Sequence, residues 1–353
     1  MTFPPDHRVE RPGAPSGSQA RHTGHPESAP PGLVRPVAEI FASVVESVRS
    51  VVLVDADTVR LAVGCVAAGG HLLVEDLPGL GKTTLAKALA RSLGLTFRRV
   101  QFTADLLPAD ITGAMVLDLE NHRPTFRPGP IFTNILMADE LNRASPRTQS
   151  ALLEAMEEQQ VTVDGHTADL PRPFLVIATQ NPYDAAGTSP LPHGQRDRFL
   201  LRLSLGYPQR GDEDRLLADA GHSLRVATLR PAVSSAELEA LMEAAAGAHV
   251  VPAIRGYVLD LIEATRQHPS IRVGASPRAA LALLRTSRAV AVGAGRDYVV
   301  PDDVQASAVP VLAHRLLVDP RSDATGAGPG AVVDEILRFV PVPGTAGSVT
   351  SPR

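Results

Sequence analysis

Glu75-Asp76-Leu77-Pro78-Gly79-Leu80-Gly81-Lys82-Thr83-Thr84 lies between an apolar run, Leu72-Leu73-Val74, and a helical pattern of Leu85, Ala86, Leu89, Ala90 and Leu93 that stops at Gly94. A strand, a glycine-containing loop, Lys-Thr and a helix form the arrangement that grips a nucleoside triphosphate. Gly79 and Gly81 let the backbone approach phosphate oxygens with no Cβ in the way. The N–H groups that open the helix point at the anion. Pro78, Leu80 and Thr84 complete the cradle. Lys82 is placed to neutralise the β- and γ-phosphates, and the Thr83 hydroxyl to help hold Mg²⁺. The full pattern has glycine six residues before the lysine, where this chain has Asp76.

The chain's 353 residues suggest about two domains, and 44% apolar content supplies ample core. Lys and Arg total 34 against 38 Asp and Glu, aromatics are 4% and Trp is absent. That balance argues against an electrostatic surface or a stacking platform for nucleic acid. The single cysteine, Cys65, rules out an internal disulfide and fits a reducing compartment. It lies in an apolar helical stretch and reads as a small core residue. No apolar run reaches the roughly eighteen residues of a membrane span, and no signal pattern opens the chain. No membrane insertion and a cytoplasmic location are therefore expected.

Residues 1–35 are dense in Pro, Gly, Ser and His and are expected to form a disordered tail, in which His22 and His25 are solvated. Helix spacing follows at Val37, Ile40, Phe41, Val44 and Val48, with a second helix over 56–68. Strands are expected at 71–75, 97–102, 132–138, 174–178 and 199–205. The broken stretch 103–130 suits a short helix carrying a hairpin insertion. Ser145-Pro146 reads as a helix start, and Asp164-Gly165 as a hairpin turn. From about 209 to 318 only helix patterns recur, at 236–246, 252–267, 277–290 and 302–317, and 319–353 reads as a flexible tail. The expected architecture is an α/β core over 36–208, a parallel sheet sandwiched by helices, followed by an all-helical domain over 209–318.

In such a sheet the ligand sits at the carboxyl ends of the strands. The run Ile135-Leu136-Met137-Ala138 ends there in Asp139-Glu140, the first a metal ligand and the second able to polarise an attacking water. Asn181 ends the next strand and is placed to hold that water or touch the γ-phosphate. Arg198 and Arg278 each open an element, and a guanidinium fork suits charge developing on the γ-phosphate.

With these pieces in place the chain resembles the MoxR family of AAA+ ATPases, over roughly residues 37–318. The likeness rests on Gln101-Phe102-Thr103-x-Asp105-Leu106-Leu107-Pro108-x-Asp110-Ile111-Thr112-Gly113 and Phe126-Arg127-Pro128-Gly129-Pro130-Ile131-Phe132. It continues through Asp139-Glu140-Leu141-Asn142-Arg143-Ala144, Thr148-Gln149-Ser150-Ala151-Leu152-Leu153-Glu154-Ala155-Met156 and Ala178-Thr179-Gln180-Asn181-Pro182.

The resemblance implies that Lys82 and Thr83 are Walker A, Asp139 and Glu140 Walker B, and Asn181 sensor 1. It implies that Arg198 is an arginine finger reaching a neighbouring subunit and Arg278 sensor 2. It further implies ATP and Mg²⁺, a helical lid, and a homo-oligomeric ring, commonly a hexamer. Segments 111–130 and 159–173 would lie near the pore or a partner-facing surface. Protein clients, often alongside von Willebrand factor A domain proteins, complete the expectation. The chain departs from the family at Val54-Asp55, where Gly-Gln is usual, and at His193 and Arg196, where Glu and Leu are usual. Three alternatives stand beside an ATPase that remodels proteins: a nucleotide-binding scaffold with little turnover, a metal-chelatase motor subunit, and a DNA-translocating motor, the last disfavoured by charge and aromatic content.

Overall fold

The computed structural model describes residues 35–120, 122–181, 191–218, 225–319 and 328–344. The expected N-terminal tail lies outside them except for Arg35, whose Nε meets Glu237 at 2.6 Å. Helices α1 (Val37–Arg49) and α2 (Ala56–Ala67) open the fold. Ile40, Phe41, Val44, Val45 and Val48 share one face of α1 and are buried. Asp55 caps α2, accepting the N–H groups of Asp57 and Thr58. Cys65 is fully buried in α2, and burial pushes its thiol pKa up to about 12.

The α/β part then alternates. It runs β1 (Leu72–Glu75), α3 (Lys82–Ser92), β2 (Phe97–Gln101), a short α4 (Pro108–Thr112), and the antiparallel hairpin β3 (Gly113–Asp118) and β4 (Arg123–Pro128). It continues with β5 (Ile135–Asp139), α5 (Pro146–Glu158), a second hairpin β6 (Gln160–Val163) and β7 (His166–Asp169), β8 (Leu175–Gln180), α6 (His193–Arg196) and β9 (Leu201–Leu203). Five of these strands form one parallel sheet in the order β2-β5-β8-β1-β9. The expected strands at 132 and 199 begin later, at Ile135 and Leu201, because Phe132 and Thr133 bond back to Gly129 and Ile131, and Phe199 bonds back to Arg196, before pairing starts.

Residues on the central strands take alternate sides. Leu72, Val74, Ile135, Met137, Leu175 and Ile177 belong to one apolar cluster, and Leu73, Leu136, Ala138, Val176 and Ala178 to the other. Each buried Leu or Ile contributes about 1.5–3 kcal/mol. A slip of one residue would exchange the two faces, so this alternation fixes the register. Glu75 pairs with Gln180 and Gln101 with Asp139, so the strand tips end level with one another.

The C-terminal part holds α7 (Arg210–Ala218), α8 (Arg225–Thr228), α9 (Ser235–Gly247), α10 (Pro252–Gln267), β10 (Ile271–Val273), α11 (Pro277–Gly293), α12 (Pro301–Leu312), β11 (Leu317–Val318) and α13 (Gly328–Phe339). Three of its helices, α10, α11 and α12, open on proline, whose fixed φ and missing N–H suit a first turn. The first apolar cluster runs from the sheet face into these helices through Leu241, Leu261, Leu283 and Val304.

Two expectations need correction. The region is not helical throughout, because β10 and β11 pair antiparallel. Nor is 319–353 a tail throughout: α13 buries Val333 and Ile336, one helical step apart, against the preceding helices.

His71, just before β1, ties the sheet to α5. Its Nδ1 accepts the Val176 N–H at 3.0 Å, which leaves Nε2 to donate to the Met156 carbonyl at 3.1 Å. Burial, with a smaller push from Arg285, draws its pKa down to about 4 against a Met156 hydrogen bond that raises it. The folded protein therefore keeps His71 neutral at a pH where the unfolded chain takes up a proton. Its contribution is complete above the ordinary value of 6.5 and is lost as pH falls from there towards 4, by about 3 kcal/mol in all. Urea unfolding at pH 7.5, 6.0 and 4.5 should show that decline, and His71→Asn should flatten it; an unchanged slope in the variant would exclude His71 as its source.

Candidate functional site

The level strand tips enclose a cavity of about 380 Å³, with Gly79, Lys82 and Thr83 on one side and Asp139, Glu140 and Asn181 on the other. Pro78, Gly81 and Thr84 also line it. Gly79 and Gly81 hold φ of 87° and 88°, the left-handed region that a side chain disfavours, and beyond the adjoining residues nothing lies within 4 Å of where a Cβ would stand. Gly81 immediately precedes α3, so the helix N-terminus opens onto the cavity. Lys82 Nζ donates to the carbonyls of Asp76 at 2.6 Å and Leu77 at 2.9 Å, which folds the loop around the ammonium. Partial burial draws the Lys82 pKa down, opposed by the Asp76, Asp139 and Glu140 carboxylates.

Asp76, which replaces the pattern's first glycine, is turned away from this cradle. Its carboxylate accepts from Ser204 Oγ at 3.0 Å and from the Leu205 N–H, just beyond β9.

Asp139 is held on both oxygens. Thr179 Oγ1 donates to Oδ1 at 2.5 Å, and Arg99 donates to Oδ2 from Nε at 3.0 Å and Nη2 at 2.5 Å. Glu140 has φ 56° and ψ 47°, a left-handed conformation that costs a non-glycine residue about 1–2 kcal/mol. Its N–H donates to Thr179 Oγ1, while Gln101 Nε2 at 2.8 Å and Arg143 Nη1 at 3.0 Å meet its Oε2. Arg99 and Gln101 stand two residues apart on edge strand β2 and so share a face, one for each acidic residue.

Arg99 is absent from the expected site residues and Gln101 enters only as the first residue of a family motif, although the alternation of β2 puts both on one side. Gln180 likewise appears in the sequence only inside a family motif, with no role of its own. Its Nε2 is buried at the cavity wall with no hydrogen-bond partner among the described residues, a donor that an anionic ligand would satisfy. The hydroxyl of Thr83 and the carboxylate of Asp139 are the hard oxygen donors that Mg²⁺ takes, so the residues present fit that ion.

Arg198 and Arg278 do not line the cavity. Both instead reach Glu157 on α5: Arg198 Nη2 lies 3.2 Å from Oε2, and Arg278 Nη1 lies 2.6 Å from Oε1. Of the two family departures beside Arg198, His193 bonds the Arg315 carbonyl through Nε2 at 2.6 Å, and Arg196 has its Nε buried without a partner among the described residues.

A parallel sheet with a glycine loop, Lys-Thr and an Asp-Glu strand tip around one cavity defines a P-loop NTPase. The comparisons agree. Residues 71–201 match the family described as ATPase family associated with various cellular activities (AAA), and 263–336 match the AAA lid domain. The chain is 43% identical to Bacillus subtilis YeaC, a protein itself uncharacterized, across 86% of this chain and 95% of that one. It is 37% identical to the Mycobacterium tuberculosis chaperone MoxR1, covering 95% and 90%, and 33% identical to Paracoccus denitrificans MoxR, covering 86% and 96%. A crystal structure from Cytophaga hutchinsonii, described as a candidate ATPase, superposes with a TM-score of 0.79 at 34% identity, over 87% of this chain and 96% of that one. The chain belongs to the MoxR family of AAA+ ATPases. The lid match extends into α13, within the stretch expected as a flexible tail.

Proposed function

We propose that this protein is a Mg²⁺-dependent ATPase that works as a homo-oligomeric ring, a hexamer in our reading, and spends the hydrolytic energy on remodelling protein clients. The reading is carried by one observation: Lys82, Thr83, Asp139, Glu140 and Asn181, distant in sequence, line a single cavity. The relatives named as MoxR, one of them a chaperone, support the client-directed part. Proteins with von Willebrand factor A domains are our candidate partners. We place the protein in the cytoplasm; among the described residues no helix is long and apolar enough to cross a membrane.

In this scheme the loop N–H groups and Lys82 bind the β- and γ-phosphates. Thr83 and Asp139 would hold Mg²⁺, which supplies charge neutralisation on the phosphate oxygens. Glu140 orients a water and takes its proton as the water oxygen attacks the γ-phosphorus; the bond from that phosphorus to the bridging oxygen breaks and ADP leaves. Asn181 positions the same water. Gln101 and Arg143 hold the Glu140 carboxylate at the cavity. Arg198 completes the site of the neighbouring subunit, and Arg278 adds a second guanidinium for the developing charge. Arg99 neutralises Asp139 and would compete with Mg²⁺ for its carboxylate.

The test is steady-state phosphate release by the purified protein beside Lys82→Ala. Removing a charge-assisted bond to phosphate should weaken ATP by about 100-fold, near 3 kcal/mol, in a calorimetric titration. ATP binding by the unaltered protein, with phosphate release no faster than in Lys82→Ala, would overturn the hydrolytic reading.

A further inference from the structure

Two guanidiniums on one carboxylate is an arrangement that the triphosphate cavity does not explain. Arg198 comes from the turn before β9 and Arg278 from the first turn of α11, yet both converge on Glu157 at the end of α5. Their flanking residues are joined as well. Ser276 Oγ donates to Asp197 Oδ2 at 3.0 Å, linking the residue before Arg198 to the N-cap of α11. Arg315 holds the other oxygen of Asp197 at 2.7 Å.

We propose that Glu157 is a positioning residue that gathers Arg198 and Arg278 into one cationic pair acting on a single γ-phosphate. The inference rests on the ATPase reading given above. Two like charges brought this close repel, and the carboxylate between them offsets that repulsion. Each contact to Glu157 uses one nitrogen of a group with five N–H donors, so engaging a phosphate does not require either arginine to leave. The side chains of Arg198 and Glu157 are 28% and 32% exposed, and that of Arg278 is 52% exposed. An ordinary surface pair of that exposure contributes about 0–1 kcal/mol to stability and nothing to turnover. The proposal differs from that reading in what the carboxylate does to the rate.

The experiment uses the full-length protein with saturating ATP and Mg²⁺. Glu157→Ala should lower kcat about tenfold with the ATP affinity changed less than twofold. Glu157→Gln, which keeps one acceptor but no charge, should lose about threefold. Combined with Arg198→Ala and Arg278→Ala together, Glu157→Ala should add no further loss, because both groups it positions are already gone.

A second readout needs no turnover. Hydrogen exchange of the nucleotide-free protein should quicken at residues 197–200 and 278–280 in Glu157→Ala while β1, β5 and β8 stay protected. An unchanged or raised kcat, a further loss from Glu157→Ala once both arginines are alanine, or unaltered exchange in both segments would overturn the proposal. If the unaltered protein releases no phosphate, the ATPase reading fails, and the exchange measurement alone still decides whether Glu157 holds the two segments.

Discussion

Glu140→Gln should bind ATP as tightly as the unaltered protein and release phosphate about 10²–10⁴-fold more slowly. The reasoning is local. Glu140 stands one residue beyond Asp139 in a left-handed conformation, with its carboxylate at the cavity and its N–H bonded to Thr179. Glutamine keeps the length and can still accept from Gln101 and Arg143, so the loop's geometry survives. It cannot take the proton of the attacking water. Calorimetric ATP binding together with single-turnover hydrolysis separates the two effects; a loss of binding equal to the loss of rate would mean that Glu140 shapes the cavity and performs no proton chemistry. On the client-remodelling reading proposed above, the slow variant should retain a bound protein, and affinity capture with Glu140→Gln tests that.

Arg315→Ala should cost about 3–5 kcal/mol of folding stability. Arg315 is 2% exposed, and all of its guanidinium nitrogens are engaged. Nε meets Asp197 Oδ1 at 2.7 Å, Nη1 the carbonyls of Leu200 and Val311, and Nη2 those of Asp197 and Phe199. Burial draws the Arg315 pKa down, and the Asp197 charge opposes that shift. Truncation leaves the Asp197 carboxylate, 16% exposed, without its cation and several carbonyls without their donor. Arg315→Lys restores a charge without the fork and should recover less than half of the loss. The shift in urea midpoint at pH 7.5, with the m-value compared, measures both; a loss below 1 kcal/mol would show that the segment around Arg198 holds its shape unaided.

What could be read from the string of residues follows a physical divide. The apolar runs ending in Asp139-Glu140 and Asn181 reveal the sheet and the rim that lines the cavity, because strands buried on both faces leave long hydrophobic signatures. Arg99 and Gln101 left a weaker trace: β2 is an edge strand, and its polar residues look like ordinary solvent-facing alternation until Asp139 and Glu140 are set beside it. The strands β10 and β11 span three and two residues, too few for any period to register. Helix α13 was hidden by Gly328, Pro329 and Gly330, whose composition matches the tail around it although Val333 and Ile336 keep helical spacing. Arg198 and Arg278 stand out by their places and the family likeness, but nothing in one dimension tells that they share Glu157. That contact depends on how α5 and α11 meet.

The carboxylate of Asp76 has a mechanical consequence. It stands at the root of the phosphate loop and grips Ser204 and Leu205, where the chain leaves the sheet on its way to the C-terminal helices. The loop and this crossing strap are thus fastened to one another directly, so a displacement at either end is delivered to the other without first deforming the interior between them.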